Sequence, residues 1–402
     1  MRRAVTILIL AGGLTALAIY GVTWGQAPGQ RSKLPGAKSI IEASQFSSLQ
    51  AAIDAIPADG GVLQLTPGLF EITQPLVITQ QDLLIRGSGT ATHIQNLNQD
   101  GQPALIIRPA DVGSSVTPEP QWRIHLADFR ITGNEKSGQG IVAVRVNELY
   151  LEGLTVSRHG GDGIVLDHCY EDPRVANCLI TYNKGTGLNL LGCHDIVVNG
   201  NQFEENQDAL RCIDGFNLCM TGNNLDDHLG HGVVIENTYG SVVSGNMIEE
   251  CAGTAIVLDR DSYGNTLSAN VIAHNGAGID LRDAHGSAVS ANTFTIMKSH
   301  ALRLGPKSSR ITVTGNNFSN SYIGEGQMKR EADDLAAAGV TLAGASHVVF
   351  SGNLFGGVRP KALSLENSSS QGILFSNNVI VDAQSDHSQL KNDSLVKDNL
   401  DN

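Results

Sequence analysis

Between Gly140 and Leu365 one short phrase, small–aliphatic–x–aliphatic, recurs ten times. Its copies start at Gly140, Gly163, Gly187, Ala209, Gly232, Ala255, Gly278, Ala301, Gly339 and Ala362, so successive starts lie 23, 24, 22, 23, 23, 23, 23, 38 and 23 residues apart. A column of asparagines keeps step with it: Asn177, Asn201, Asn223, Asn246, Asn270, Asn292, Asn316, Asn353 and Asn378. A fixed period of this length demands stacked copies of one unit, because no single unit can bury its own apolar face.

The content of the unit selects the architecture. No copy carries a 3.6-residue period, and each carries three short runs of alternating character, which read as strands. A three-stranded coil stacked on its own copies is an all-β, single-stranded right-handed parallel β-helix, a solenoid. Ile164, Leu166, Leu179 and Phe203 are expected to point inward, each burial being worth about 1.5–3 kcal/mol. Asparagine tolerates the left-handed backbone of a sharp corner. Stacked amides can also hydrogen-bond along the axis at about 1 kcal/mol net per bond. The asparagine column is therefore read as structural.

The chain begins as an export signal. Arg2 and Arg3 precede an apolar run from Ala4 to Tyr20, and Gly25-Gln26-Ala27 is a small-x-small cleavage site. The expected organisation is a signal peptide over 1–27, a leader over 28–42, the β-helix over 43–384 and a polar tail over 385–402. The destination is the periplasm or the exterior. Cleavage removes Arg2 and Arg3 and no acid, taking the formal charge from −13 to −15. No other stretch spans a membrane, and an acidic chain without a basic run is not built to hold nucleic acid. A polyanionic ligand would need local arginines or a bound cation such as Ca2+ against that field. The expected assembly is a monomer.

Phe46 to Ile56 has helical apolar spacing and ends at Pro57. It is placed to cap the open end of the solenoid, where edges are otherwise unpaired. The 38-residue step holds an insertion over 322–338, with a short charged helix at 327–336; insertions on one face of a solenoid tend to line its binding face.

The stretch LQAAIDAIPADGGVLQLTPGLFEIT, followed by LLIRGSG, resembles the N-terminal entry of the pectate-lyase superfamily, the pectin-lyase-like β-helices. The later coils resemble its generic β-helix repeat, which occurs in polysaccharide lyases, hydrolases, uronate epimerases and phage tailspikes. The resemblance spans about residues 43–380 and implies a polysaccharide partner lying along the outer face of the Gly-Ile-x-Leu strands.

Outward positions on that strand form columns, and two clusters stand out. The first is Asp208, Arg211, His231 and Glu236. The second is Asp259, Asp280, Arg282, His300 and Arg303, with Asp283 and His285 in the turn after Arg282. A uronate lyase or epimerase needs a base, an acid and a cation for the enolate-like charge. His231, Arg211 and Asp208 are the catalytic candidates, with Asp208 expected to pair with the His231 imidazole. Glu236 and the second cluster are candidates for binding substrate. Asp259–Arg282 and Asp280–Arg303 also read as self-neutralising salt-bridge ladders. Gly230-His231-Gly232 resembles the Gly-His-Gly of polygalacturonases, whose aspartate pair and Arg-x-Lys this chain lacks. The function expected is thus an exported uronan lyase or epimerase. The alternatives are a non-catalytic polysaccharide-binding β-helix and a glycoside hydrolase built on a carboxylate pair. Cys169 and Cys193 hold equivalent places in consecutive coils, about 4.8 Å apart, close enough for a disulfide.

Overall fold

The computed structural model describes residues 34–110, 118–319, 339–359, 361–366, 370–391 and 393–401. The expected signal peptide and the charged helix of the insertion lie outside the described residues. The coils build three parallel sheets of 12, 14 and 17 described strands. The Gly-Ile-x-Leu strands form the 12-stranded sheet, from Leu76–Ile78 to Leu363–Leu365. The period is obeyed in register: Ile164 pairs with Leu188, Leu188 with Leu210, Leu210 with Val233 and Val233 with Ile256. The protein is a β-helix of about 14 turns, as the period requires.

The interior is a continuous apolar column in which like stacks on like. Phe294, Phe318 and Phe355 stack with ring centroids 4.8 Å apart at each step. Ile164, Leu166 and Phe203 are fully buried, but Leu179 is 39% exposed and its neighbour Ile180 takes the inward slot. The strand Leu179–Thr181 has only three residues, too few for alternation alone to fix which face is inward.

The asparagine column is a ladder. The amide of Asn246 donates to Asn270 Oδ1 at 3.0 Å and its own Oδ1 accepts from Asn223 Nδ2 at 2.9 Å. The ladder residues are not themselves left-handed. The residue before each one is, as at Gly245 with φ 66° and Asn377 with φ 56°. Asn177 belongs to that preceding row, with φ 54°, and Cys178 fills the ladder slot, donating its N–H to Asn201 Oδ1 at 2.9 Å. At the far end Asn399 extends the ladder by accepting from Asn378 at 3.0 Å.

The ends are organised further out than the sequence suggests. Ser39–Glu42 pairs with Gly61–Gln64 as a first rung, and Leu395–Lys397 and Leu400–Asp401 pair onto the last coils. The helix is shorter than the periodic run, covering Leu49–Asp54, with the Ser48 hydroxyl accepting the Ala51 N–H at 3.1 Å. It buries Leu49, Ala52 and Ile53. Gln50 caps the edge strand by imitating one more rung: its Oε1 accepts the Val77 N–H at 2.8 Å and its Nε2 donates to Val77 O at 3.0 Å.

Cys169 and Cys193 stack as expected, buried in the core, and both are free thiols here. Each thiol donates to a carbonyl of the preceding coil, Ala143 O at 3.6 Å and Leu166 O at 3.3 Å. The two sulfurs therefore point the same way along the axis, and the bridge is not formed in this structure.

Candidate functional site

Strand register brings the outward columns together as the spacing implies. Asn189 pairs with Arg211, Arg211 with Val234, Val257 with Asp280 and Asp280 with Arg303. One position before the small residue of each repeat, Asp162, Thr186, Asp208, His231 and Thr254 form a further row. In it side chains accept main-chain N–H groups of the next coil: Thr186 N–H to Asp162 at 2.7 Å, His231 N–H to Asp208 at 2.6 Å and Thr254 N–H to His231 Nδ1 at 2.9 Å.

This row corrects the expected Asp208–His231 pairing. The Asp208 carboxylate, 5% exposed, binds the main chain of His231 and not its ring. Because Nδ1 of His231 accepts a main-chain N–H, the neutral ring carries its proton on Nε2. A half-buried imidazole in that tautomer presents a hydrogen-bond donor at Nε2 and no free lone pair for a base.

Arg211 lies between two carboxylates, 3.6 Å from Asp208 and 3.7 Å from Glu236. Glu236 also meets Arg260 at 3.3 Å, and Arg260 reaches Asp214 at 3.5 Å. These contacts position the Arg211 guanidinium electrostatically at a separation longer than a hydrogen bond, so its N–H fork keeps donors for an incoming carboxylate or hydroxyl.

The second cluster is a tighter network. Asp280, 8% exposed, accepts from Arg282 at 2.8 Å and from Arg303 at 3.4 Å. Arg303 also donates to Glu366 at 3.1 Å, and Arg282 lies 3.9 Å from Asp259. The Asp280–Arg303 ladder is thus present. Asp259–Arg282 is the loose pair, because Arg282 turns to Asp280 on its own strand. His300 stands beside this network with Nε2 buried and unpartnered, and burial lowers its pKa. Among the described residues three acidic groups have ligand atoms close enough for a cation: Asp226, Asp227 and Glu250; Glu249, Glu250 and His274; and Asp261, Asp283 and His285. The third takes in Asp283 and His285, from the turn beside the second cluster, and none contains a residue of the first.

A family model described as the right handed beta helix region matches residues 139–294 and 264–400. The chain belongs to this right-handed β-helix family. No curated protein matches it significantly. Among solved structures, this β-helix resembles the A-module of mannuronan C-5 epimerase AlgE6 from Azotobacter vinelandii. The identity is 14%, 90% of this chain and 99% of that one are covered, and the TM-score is 0.59. It also resembles tailspike protein 3 of bacteriophage CBA120, at 13% identity, 86% and 65% coverage and TM-score 0.58. A third likeness is the catalytic unit of the GH87 alpha-1,3-glucanase of Streptomyces thermodiastaticus, at 16%, 89% and 71%, with TM-score 0.55. Identities this low speak for the common fold.

Two features of the β-helix escaped the sequence reading. One is a second internal ladder, through His159, Asn183, Asn206, His228, Cys251 and Asn275. His159 N–H donates to Asn183 Oδ1 and Asn183 N–H to Asn206 Oδ1, both at 3.1 Å, and Cys251 N–H donates to Asn275 Oδ1 at 2.9 Å. Both ring nitrogens of His159, and Nε2 of His228, are buried without a partner. Burial depresses both histidines to about 4. The signal was the 22–24-residue spacing of these positions in the sequence, hidden because three residue types share one slot. The other is an external row of aromatic rings. Among the described residues no helix is long and apolar enough to cross a membrane.

Proposed function

We propose that this β-helix acts on a polysaccharide laid along the outer face of the 12-stranded sheet, as a uronan lyase or epimerase. The carrying observation is the pairing of two oriented donors on adjacent coils. His231 presents Nε2–H because Thr254 N–H occupies Nδ1, and Arg211 is suspended between Asp208 and Glu236 with its fork uncommitted. In this reading Arg211 meets the substrate carboxylate and stabilises the charge that develops when the adjacent carbon loses its proton. His231 donates a hydrogen bond from Nε2–H to the substrate oxygen on which charge develops. Glu236 is the carboxylate left to accept the abstracted proton. The likeness to a mannuronan C-5 epimerase over nearly its whole module agrees with this reading.

A second reading, a polysaccharide-binding β-helix without turnover, is favoured by one observation. Arg211 and Arg303 are already bracketed by carboxylates, and the column they occupy is otherwise partly aliphatic, with Val165, Val234 and Val257 buried. The test is a screen of the chain on mannuronan, alginate and pectate, with and without Ca2+. Unsaturated uronate is read by absorbance and C-5 inversion by proton NMR. Turnover that falls about 100-fold or more in His231→Ala, with the fold intact, supports the catalytic reading. Arg211→Ala then mainly raises KM. Binding without turnover on every uronan selects the second reading.

A further inference from the structure

Beyond the sheet-face candidate, the turn that follows each strand of the 12-stranded sheet carries an aromatic ring in six consecutive coils: Tyr170, His194, Phe216, Tyr239, Tyr263 and His285. The row is held in register by the main chain, through bridges His194–Phe216, Phe216–Tyr239 and Tyr239–Tyr263 and the strand pair Tyr263–His285. In the first four coils of the row neighbouring rings touch. Tyr170 and His194 are 4.4 Å apart between centroids, His194 and Phe216 4.7 Å, and Phe216 and Tyr239 5.4 Å in a stacked pair. Phe216 is 41% and Tyr263 48% exposed. With rungs about 4.8 Å apart, the row runs roughly 24 Å along the axis. Burial in the core does not explain it, since the interior of these coils is already filled.

We infer that this row is a binding rail for an extended, uncharged polysaccharide. Three observations select that occupant. The rungs advance by about the length of one pyranose residue, so consecutive sugars meet consecutive rings. The amphipathic rings of tyrosine and histidine suit a ligand that is apolar on its faces and polar at its rim. Beside the rings runs a polar row able to serve hydroxyls: Asp195 accepts from Asn217 and Asp214 from Asn237, both at 2.8 Å, and Tyr239 donates its hydroxyl to Asn237 at 3.2 Å. The charge of the rim decides against a polyanion. Exposed Glu171, Asp172, Asp195, Asp214 and Asp261 outnumber Arg174 and Arg260, and the chain as a whole carries −13. A protein partner would want a wide apolar patch, and the row holds a single phenylalanine among histidines and tyrosines.

The rail uses neither His231 nor Arg211, so it stands or falls apart from the uronan reading. The experiment is affinity electrophoresis of the full chain in native gels containing dextran, glucomannan or a soluble β-glucan. Parallel gels hold alginate, pectate and chitosan oligomers. The expected result is retardation on at least one uncharged glycan, unaffected by added salt. Phe216→Ala and Tyr263→Ala should each weaken it about tenfold, at unchanged melting temperature, while Phe216→Trp retains it. His231→Ala should leave retardation on the uncharged glycan unchanged. Several results would overturn the proposal: retardation on alginate or pectate alone, salt-sensitive retardation on chitosan alone, none on any glycan, or full binding in the Phe216→Ala,Tyr263→Ala double variant. Self-association of the parent chain that Phe216→Ala abolishes would assign the row to contact between copies instead.

Discussion

Replacing Asn246 by alanine tests the reading of the main ladder most directly. Four hydrogen bonds involve its side chain. Oδ1 accepts from Asn223 N–H at 3.0 Å and from Asn223 Nδ2 at 2.9 Å, while Nδ2 donates to Met220 O at 3.2 Å and to Asn270 Oδ1 at 3.0 Å. They do not count equally. Asn223 Nδ2 keeps Val198 O and Thr221 O, both at 3.1 Å, and Asn270 Oδ1 keeps the Asn246 N–H at 3.0 Å. The lasting damage is the buried Asn223 N–H, left without an acceptor at about 1–3 kcal/mol, and a weakened Met220 carbonyl at about 1 kcal/mol. Asn246→Ala should therefore destabilise the chain by about 2–4 kcal/mol. The loss should concentrate on the coils either side, because each coil touches only its neighbours. Urea unfolding gives the magnitude, and hydrogen exchange at the Asn223 amide gives the location. Asn246→Asp keeps an acceptor for Asn223 N–H but buries a charge and loses both donors, so it should be no milder. A loss below about 0.5 kcal/mol, or weakened glycan binding at unchanged stability, would refute the structural assignment.

Other outcomes follow from the same geometry. His159 and His228 titrate near 4 in the folded chain, below the ordinary 6.5. Their contribution is complete above about pH 6.5 and is lost as pH falls to 4, on the order of 3 kcal/mol each. His159→Asn, which matches Asn183 and Asn206 in the same ladder, should flatten that acid limb in urea titrations. An unchanged slope would mean the ring is solvated. Asp280→Ala strands Arg282 and Arg303 beside each other and should cost about 1–3 kcal/mol with little change in uronan turnover. Collapse of turnover at unchanged stability would move the catalytic centre to the second cluster. In exported protein the stacked Cys169 and Cys193 are expected to oxidise to a bridge worth about 3 kcal/mol. Non-reducing peptide mapping that recovers both as thiols would exclude it.

How much of this was written in the sequence depends on whether a property repeats. Stacking multiplies every local preference by the number of coils, so the 23-residue period, the Gly-Ile-x-Leu columns and the asparagine ladder were legible in one chain without a structure. Even the ladder slipped by one residue at Asn177, since the corner and the rung beside it both accept asparagine. Properties that occur once per molecule were not legible. Alternation over three residues could not say that Ile180 and not Leu179 turns inward. The spacing brought Asp208 next to His231, but a strand position sets only where Cβ lies. The final χ angles and the free main-chain N–H groups of the next coil decided that the carboxylate binds the main chain and that Thr254 takes Nδ1. The aromatic rail and the histidine-bearing ladder were hidden for the opposite reason. Their residues differ from coil to coil, and only the parallel register, which fixes each turn over the one before it, gathers tyrosine, histidine and phenylalanine into a single row.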